Sequence, residues 1–360
     1  PMNSRSCGQH IVATSSSDRG QTWTPLVDIE PSDGPEASWV MPLITPSGRV
    51  YALYTYNGAN LREAIADEPQ FPGGKTDRVD TLGNYVFKYS DDGGATWSDR
   101  ITISVREMDI DRGNPYQGRV RFFWGVGKPI SVGDIAYFGF AKVGRLGHGF
   151  MAESEGCFMR SDNILSELDA SKIFWETLPE GDHGLRSPEG PIADEANLTS
   201  LSDGSLFCTY RTIAGHPCHA YSRDSGRTWT PSAYMTYGPG GPLIAHPRAA
   251  NFVRKLNEGR HAGKYLYWFH NNNAKWYNKG DAAGSRNPAW LLGGVEEDSL
   301  DGKVIRWGNP EVALYSEDLH TGISYPDFVE EGDDLYITET QKTVARVHHV
   351  DPRLVDRLYE

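Results

Sequence analysis

One eight-residue pattern occurs three times in this chain. Ser16 to Trp23 reads SSDRGQTW, Ser90 to Trp97 reads SDDGGATW, and Ser222 to Trp229 reads SRDSGRTW. All three fit S-x-D-x-G-x-T-W. The aspartate side chain is suited to accept hydrogen bonds from the turn's own amides. The glycine supplies the positive φ that such a turn needs. The tryptophan is expected to pack as an apolar wedge. A calcium loop needs more oxygen ligands than this pattern carries, so no metal is expected. A turn that recurs with its flanks marks a repeat architecture.

The flanks are strands. Around the third copy, LTSL, the turn SDG, SLFCTYR, the turn IAGHP and CHAYSR make one antiparallel unit. Short aromatic and β-branched runs bracketed by turn residues carry the hairpin signature. RVYALYTY, YVFKYS and YLYWF read the same way. The aspartates Asp18, Asp92 and Asp224 lie 74 and 132 residues apart, and the second gap fits two units. Counting along the chain gives five units and an opening fragment. Radially arranged four-stranded blades hide their sheet edges, and the two chain ends can complete one blade. The expectation is an all-β fold: a six-bladed β-propeller of four-stranded antiparallel blades. It forms a single domain over 1–360, closed by its N- and C-terminal strands. A β-sandwich or Greek-key barrel is the alternative. The charged loop at 57–82 is long enough to suggest function, and residues 163–174 are compatible with a helix.

Ten Trp, 18 Tyr and 39 Gly suit many short strands and tight turns. The net charge of −13 argues against nucleic acid as a partner. No apolar run is long enough to span a membrane. The chain opens at Pro1-Met2 with no charged-then-apolar segment, so any signal peptide has been removed or was never there; a secreted or periplasmic location is the expectation. The four cysteines lack metal-ligand spacing. Cys208 and Cys218 flank the IAGHP turn, either as a disulfide or as two free thiols. No cofactor is expected, and the chain is expected to be a monomer.

The repeated turns resemble the Asp boxes of the sialidase superfamily, and the resemblance covers most of the chain. That family places a glutamate before an L-x-D-G-x-L turn and an arginine at the end of the next strand. Here Glu195 precedes LSDGSL and Arg211 ends SLFCTYR. A further arginine, a tyrosine and a glutamate follow in the family, and Arg286, Tyr325 and Glu339 stand in those places. The family's early F/Y-R-I-P motif is matched by Trp39-Val40-Met41-Pro42, so Val40 stands where the family has an arginine. Arg248 and Arg49 are the residues that would replace it. The resemblance implies a glycoside hydrolase acting on a terminal, acidic sugar of a glycan. Tyr325 would be the nucleophile and Glu195 its base. A phenol with an ordinary pKa near 10 needs such a base, and a neutral nucleophile avoids repulsion by the sugar carboxylate. Tyrosine is a known exception to the two-carboxylate scheme. The family's general acid sits on the loop after the first inner strand, where Asp67, Asp77 and Asp80 are candidates.

Other residues point to a site of this chain's own. His270-Asn271-Asn272-Asn273 follows the strand YLYWF, and His246 and Arg248 start the strand expected to pair with it. Period-2 geometry puts Asp327 on the same strand face as Tyr325. Arg186 and Glu189 lie just before Glu195. Trp124, Trp276, Tyr277 and Trp290 are aromatics that could stack on sugar rings. The catalytic candidates are thus Tyr325, Glu195, Asp327 and His270. The binding candidates are Arg211, Arg286, Arg248, Glu339, Asn271, His246 and Glu189. Two further readings stay open. One is an enzyme of the same fold acting on another polysaccharide, as a hydrolase or a uronic-acid lyase. The other is a non-catalytic glycan-binding propeller.

Overall fold

A computed structural model describes residues 9–272, 285–318, 321–340 and 344–360. Trp276, Tyr277 and Asn273 fall outside these residues. The chain forms two compact units, 1–184 and 185–360.

The three repeated turns share one geometry. In each, the serine Oγ donates to the aspartate Oδ1 (2.7, 2.7 and 2.8 Å) and accepts from the glycine N–H at 2.8 Å. The same Oδ1 accepts from the threonine N–H at 2.8, 2.9 and 2.9 Å. Gly20, Gly94 and Gly226 have φ of 83°, 95° and 90°, as the turn demands. Trp97 is half-buried and packs against the cluster of Ala37, Tyr54 and Val86, as a wedge would, whereas Trp23 is 54% exposed; each indole N–H donates back to its own glycine carbonyl. The tryptophan therefore clamps the turn, because a surface indole still needs a partner for its N–H.

Among the described residues, unit 1 holds two antiparallel sheets of four or more strands and two two-stranded ribbons. The first runs Ala37–Ile44, Val50–Tyr56, Asn84–Ser90 and Ile101–Thr102 in that order. The second runs Ile130–Val132, Ile135–Gly147, Phe150–Ser161 and Glu176–Leu178, with Phe123–Trp124 pairing beside its long second strand. Tyr85, Phe87, Phe138 and Phe140 fill the core between them. Gly125 makes room there, since a Cβ would meet the Tyr85 hydroxyl at 1.9 Å. The expected helix is absent: 163–174 contains only a 3-10 turn, Ala170–Lys172. The Asp169 side chain accepts from Ser171 N at 3.1 Å, a local bond that competes with helix extension.

Unit 2 holds three sheets. The third sheet runs Asp194–Ser200, Leu206–Arg211, Cys218–Ser222 and Ala233–Tyr234. The fourth runs Phe252–Lys255, Tyr265–Phe269, Ala289–Ser299 and Gly302–Leu314. The fifth runs Asp327–Glu331, Asp334–Thr340 and Ala345–His349. YLYWF is apolar throughout because it is covered on both faces. Leu266 and Trp268 enter one core, and Tyr265, Tyr267 and Phe269 enter another. Neighbouring inner strands are stitched by Asn197 Oδ1, which accepts from Val253 N at 2.7 Å. Cys208 and Cys218 are free, buried thiols, and burial pushes the Cys218 thiol up to about 12.

Five blade-like sheets thus occur among the described residues, not six. The opening fragment does not complete a blade. Val12–Ala13 pairs instead with Val27–Asp28 as a two-stranded ribbon of its own.

Candidate active site

The site grows from a register shift in the third sheet. Asp194 pairs with Arg211 and Asn197 with Thr209, so Glu195 and Ala196 together oppose Tyr210. This bulge puts Glu195 at φ 57°, a left-handed conformation that costs a non-glycine residue of order 1–3 kcal/mol. The fifth sheet repeats the device. Thr340 N donates to Ser324 O, Asp327 pairs with Thr338, and Tyr325 between them has φ 51°. Left-handed backbone interrupts the alternation of an extended strand. The period-2 expectation linking Tyr325 and Asp327 therefore does not apply. Asp327 Oδ1 accepts from the adjacent Phe328 N at 2.7 Å.

Charge concentrates around the bulge. Arg211 Nη1 lies 2.8 Å from Glu195 Oε1, and its Nε donates to Asp194 Oδ2 at 3.2 Å. Arg248 donates to the same oxygen from Nε (3.1 Å) and Nη2 (2.9 Å). All four side chains are at most 2% exposed. Asp194 was not singled out from the sequence, although it neighbours Glu195. Its role shows only when the fold brings Arg248 back across the next sheet.

Two histidines extend the cluster. His246 Nδ1 accepts from His270 N at 3.0 Å, so its Nε2 carries the proton and donates to Ala249 O at 2.9 Å. His270 Nδ1 in turn donates to Pro288 O at 3.0 Å. That leaves His270 Nε2 as a lone-pair acceptor, buried and without a hydrogen-bond partner among the described residues. The rings lie 5.9 Å apart at 14°. Burial, reinforced by Arg211 and Arg286, lowers His246 to about 3. Burial, then His246 and Arg286, holds His270 well below its ordinary value. Both are neutral imidazoles near pH 7.

Arg286 sits beside Tyr325. Its Nη1 donates to Ser324 Oγ at 3.3 Å, and its guanidinium carbon is 5.5 Å from the Tyr325 ring centre. Arg211 and Arg286 both act electrostatically on His246. Unit 2 thus holds a buried cluster of Glu195, Asp194, Arg211 and Arg248, a His246–His270 pair, and Arg286 beside Tyr325.

Other candidates lie differently. Glu339 is buried, but its arginine partner is Arg346, at 2.8 Å on the adjacent strand, and His348 joins at 3.3 Å. Asn271 Oδ1 accepts from the Tyr237 hydroxyl at 3.1 Å. Glu189 is exposed in a loop, where its backbone bonds with the Ser187 hydroxyl. In unit 1, Val40 is 40% exposed and Arg49 pairs with Asp91 at 2.6 Å. Asp67 meets Arg145 at 3.3 Å, Asp77 is exposed, and Asp80 is buried against Arg78. Among the described residues no three His, Cys, Asp or Glu side chains are placed to hold a metal ion.

Comparison with known proteins agrees with this geometry at the level of fold. Residues 88–99, around the second repeated turn, match the BNR/Asp-box repeat. No curated protein matches the chain by sequence. Among solved structures, the intramolecular trans-sialidase from Ruminococcus gnavus, in complex with oseltamivir carboxylate, is similar. It has a TM-score of 0.61 and 15% identity over 98% of this chain and 89% of its own. A Hadza microbial sialidase has a TM-score of 0.58 and 17% identity, over 92% of this chain and 57% of its own length. A protein of unknown function from Dyadobacter fermentans has a TM-score of 0.56 and 14% identity, over 95% of this chain and 83% of its own. The fold is that of the sialidase-like, Asp-box β-propellers.

Proposed function

We propose that this protein is a glycoside hydrolase that removes a terminal, acidic sugar from glycans, with sialic acid as the first substrate to test. The observations that support this reading are the buried Glu195–Arg211 ion pair and the Arg286 guanidinium beside the Tyr325 ring, both in unit 2. Glu195 and Tyr325 both stand on left-handed bulge positions. In the proposed reaction the Tyr325 oxygen attacks the anomeric carbon while Glu195 accepts the phenolic proton. The bond to the leaving oxygen breaks as a general acid gives that oxygen a proton. Water then attacks the anomeric carbon and returns a proton to that acid, while the departing tyrosyl oxygen recovers its own proton from Glu195. Arg286, beside the nucleophile, holds the anionic group of the sugar. His270 Nε2, as an acceptor, binds a sugar hydroxyl. His246 fixes the orientation of His270. Arg248 acts through Asp194 by holding Arg211 in place. The reading takes 1–360 as one domain closed through its chain ends, a monomer with carbohydrate as its partner, in a secreted or periplasmic location.

Release of sialic acid from sialyl-lactose, with Tyr325→Phe as the control, tests it. If the parent releases none, or the variant matches the parent, the proposal fails.

One feature favours a second reading. Asp194 binds both Arg211 and Arg248, which leaves those guanidiniums less able to grip a substrate carboxylate. This supports the same fold acting on another polysaccharide, by hydrolysis or by elimination at a uronic acid. An unsaturated, ultraviolet-absorbing product from uronic acid polymers would identify the lyase. Binding without any product would identify a non-catalytic module.

A further inference from the structure

The first sheet ends on an open strand edge. Its last strand, Ile101–Thr102, pairs on one side with Asn84–Ser90. Thr102 stands opposite Val86, and one residue on, Ile103 N donates to Tyr85 O at 2.9 Å. Along an antiparallel edge, residues alternate between bonding to the partner strand and pointing their N–H and C=O away from it. Ile103 bonds inward, so the backbone groups of Thr102 and Ser104 point outward. Among the described residues no group bonds to either.

The composition of this edge leaves it unguarded. Ile101 to Val105 reads ITISV, with neither charge nor proline. Charged side chains and proline are the usual means of blocking an edge. The last strands of the other sheets have them. Glu176–Leu178 begins with a glutamate, and Pro231 stands just before Ala233–Tyr234. Gly302–Leu314 carries Lys303, Arg306 and Pro310, and Ala345–His349 carries Arg346.

The edge opens into a cleft of about 400 Å³ within unit 1. Thr102, Ser104, Asn84, Arg119 and Arg121 line it. Asn57, also in the wall, holds Leu61 through both ends of its amide, at 2.9 and 3.2 Å, so this side is preformed. Arg121 is anchored, with Nη1 donating to Val105 O at 2.6 Å and Nη2 lying 3.8 Å from Glu107. Arg119 is exposed, with no carboxylate paired to it among the described residues. The charged residues of the lining are thus both arginines, on a chain of net charge −13. Such a lining matches an anionic occupant. A cleft of this size takes a few residues of one extended chain and not the edge of a second sheet.

We propose that the edge at 101–105 is a docking site for an extended, acidic segment of a partner protein. The segment adds to the first sheet as a further strand, exchanges backbone hydrogen bonds with Thr102 and Ser104, and presents a carboxylate to Arg119. The backbone bonds supply affinity, and Arg119 supplies the preference for an acidic residue. The site is separate from the residues of the unit 2 reaction and does not depend on it.

The test uses the nitrogen-labelled full chain and an acetylated, amidated peptide, Thr-Val-Glu-Val-Thr. The amide resonances of Thr102 and Ser104 shift and saturate as the peptide is added. Replacing its glutamate by lysine weakens binding about tenfold, and so does Arg119→Glu, with an unchanged unfolding curve. Thr102→Pro also weakens binding, because it removes an N–H that the sheet itself does not use. N-methylation of the peptide amides abolishes binding, since the edge then meets no donors. Three results would each overturn the proposal. They are no shift of either amide at millimolar peptide, parent-like affinity in Arg119→Glu, and equal binding of the N-methylated peptide. The last would identify a site for small anions and not for a strand. The readout is binding and needs no turnover, so failure of the unit 2 reaction leaves it intact.

Discussion

Arg211 holds Glu195 in a 2.8 Å ion pair, with both side chains almost wholly buried. Asp194 supplies a second buried carboxylate to the same guanidinium and binds Arg248 as well. Buried ion pairs break badly when one partner is removed, since the survivor is left uncompensated. Asp194→Ala should therefore cost about 3–5 kcal/mol. Denaturant unfolding of parent and variant measures it. A loss under about 1 kcal/mol would show that the arginines find other partners, since that is the scale of an exposed pair.

The repeated turns make a separate prediction about stability. Ser222 Oγ accepts from the buried Gly226 N–H and donates to Asp224. Ser222→Ala strands that amide and should cost about 1–3 kcal/mol. Sugar turnover should be unchanged, because Ser222 takes no part in the charge cluster. Parallel unfolding and activity assays check both halves.

Glu36 gives the fold a pH dependence. Its carboxyl is raised from 4.5 to about 7, chiefly by burial. The stabilising effect of a raised acid is complete below its unfolded value and fades as pH rises through the folded value. The parent should thus lose melting temperature relative to Glu36→Gln between pH 5 and 8, with the two closest at the acid end. Melting curves across that range decide it, and a constant gap would contradict the assignment.

The histidine pair behaves in the opposite sense. Burial depresses His246 from 6.5 to about 3 and lowers His270 strongly. Their contribution is fully present above pH 6.5 and is lost as pH falls. Imidazole nitrogen resonances of both residues should stay those of the neutral tautomers from pH 8 to pH 5. Protonation of either ring near pH 6.5 would remove the argument that His270 Nε2 is an acceptor.

Much of this was legible in the sequence, for reasons that individual residues make plain. The turns at Asp18, Asp92 and Asp224 carry their own hydrogen bonds, so the fold could be read from them alone. Glu195 and Arg211 stand out only through the family resemblance, and the hairpin that joins them makes them a buried ion pair. The number of sheets could not be read, because the opening ribbon pairs with itself. Nor could the relation of Tyr325 to Asp327, since one left-handed residue cancels strand alternation. Asp194 was missed because its second partner, Arg248, lies 54 residues away. Glu339 is a binding candidate by the family resemblance, and its arginine partner, Arg346 on the neighbouring strand, shows only in the pairing of the fifth sheet.

The most direct measurement is the steady-state hydrolysis of an aryl sialoside by the parent, Tyr325→Phe and Glu195→Gln, with all three shown to be folded. The account predicts sialic acid release by the parent, no turnover by Tyr325→Phe, and a loss of about 10²–10⁴-fold in Glu195→Gln, the range for a general base. Sialic acid release at the parent rate by Tyr325→Phe, or none from the parent, would contradict it.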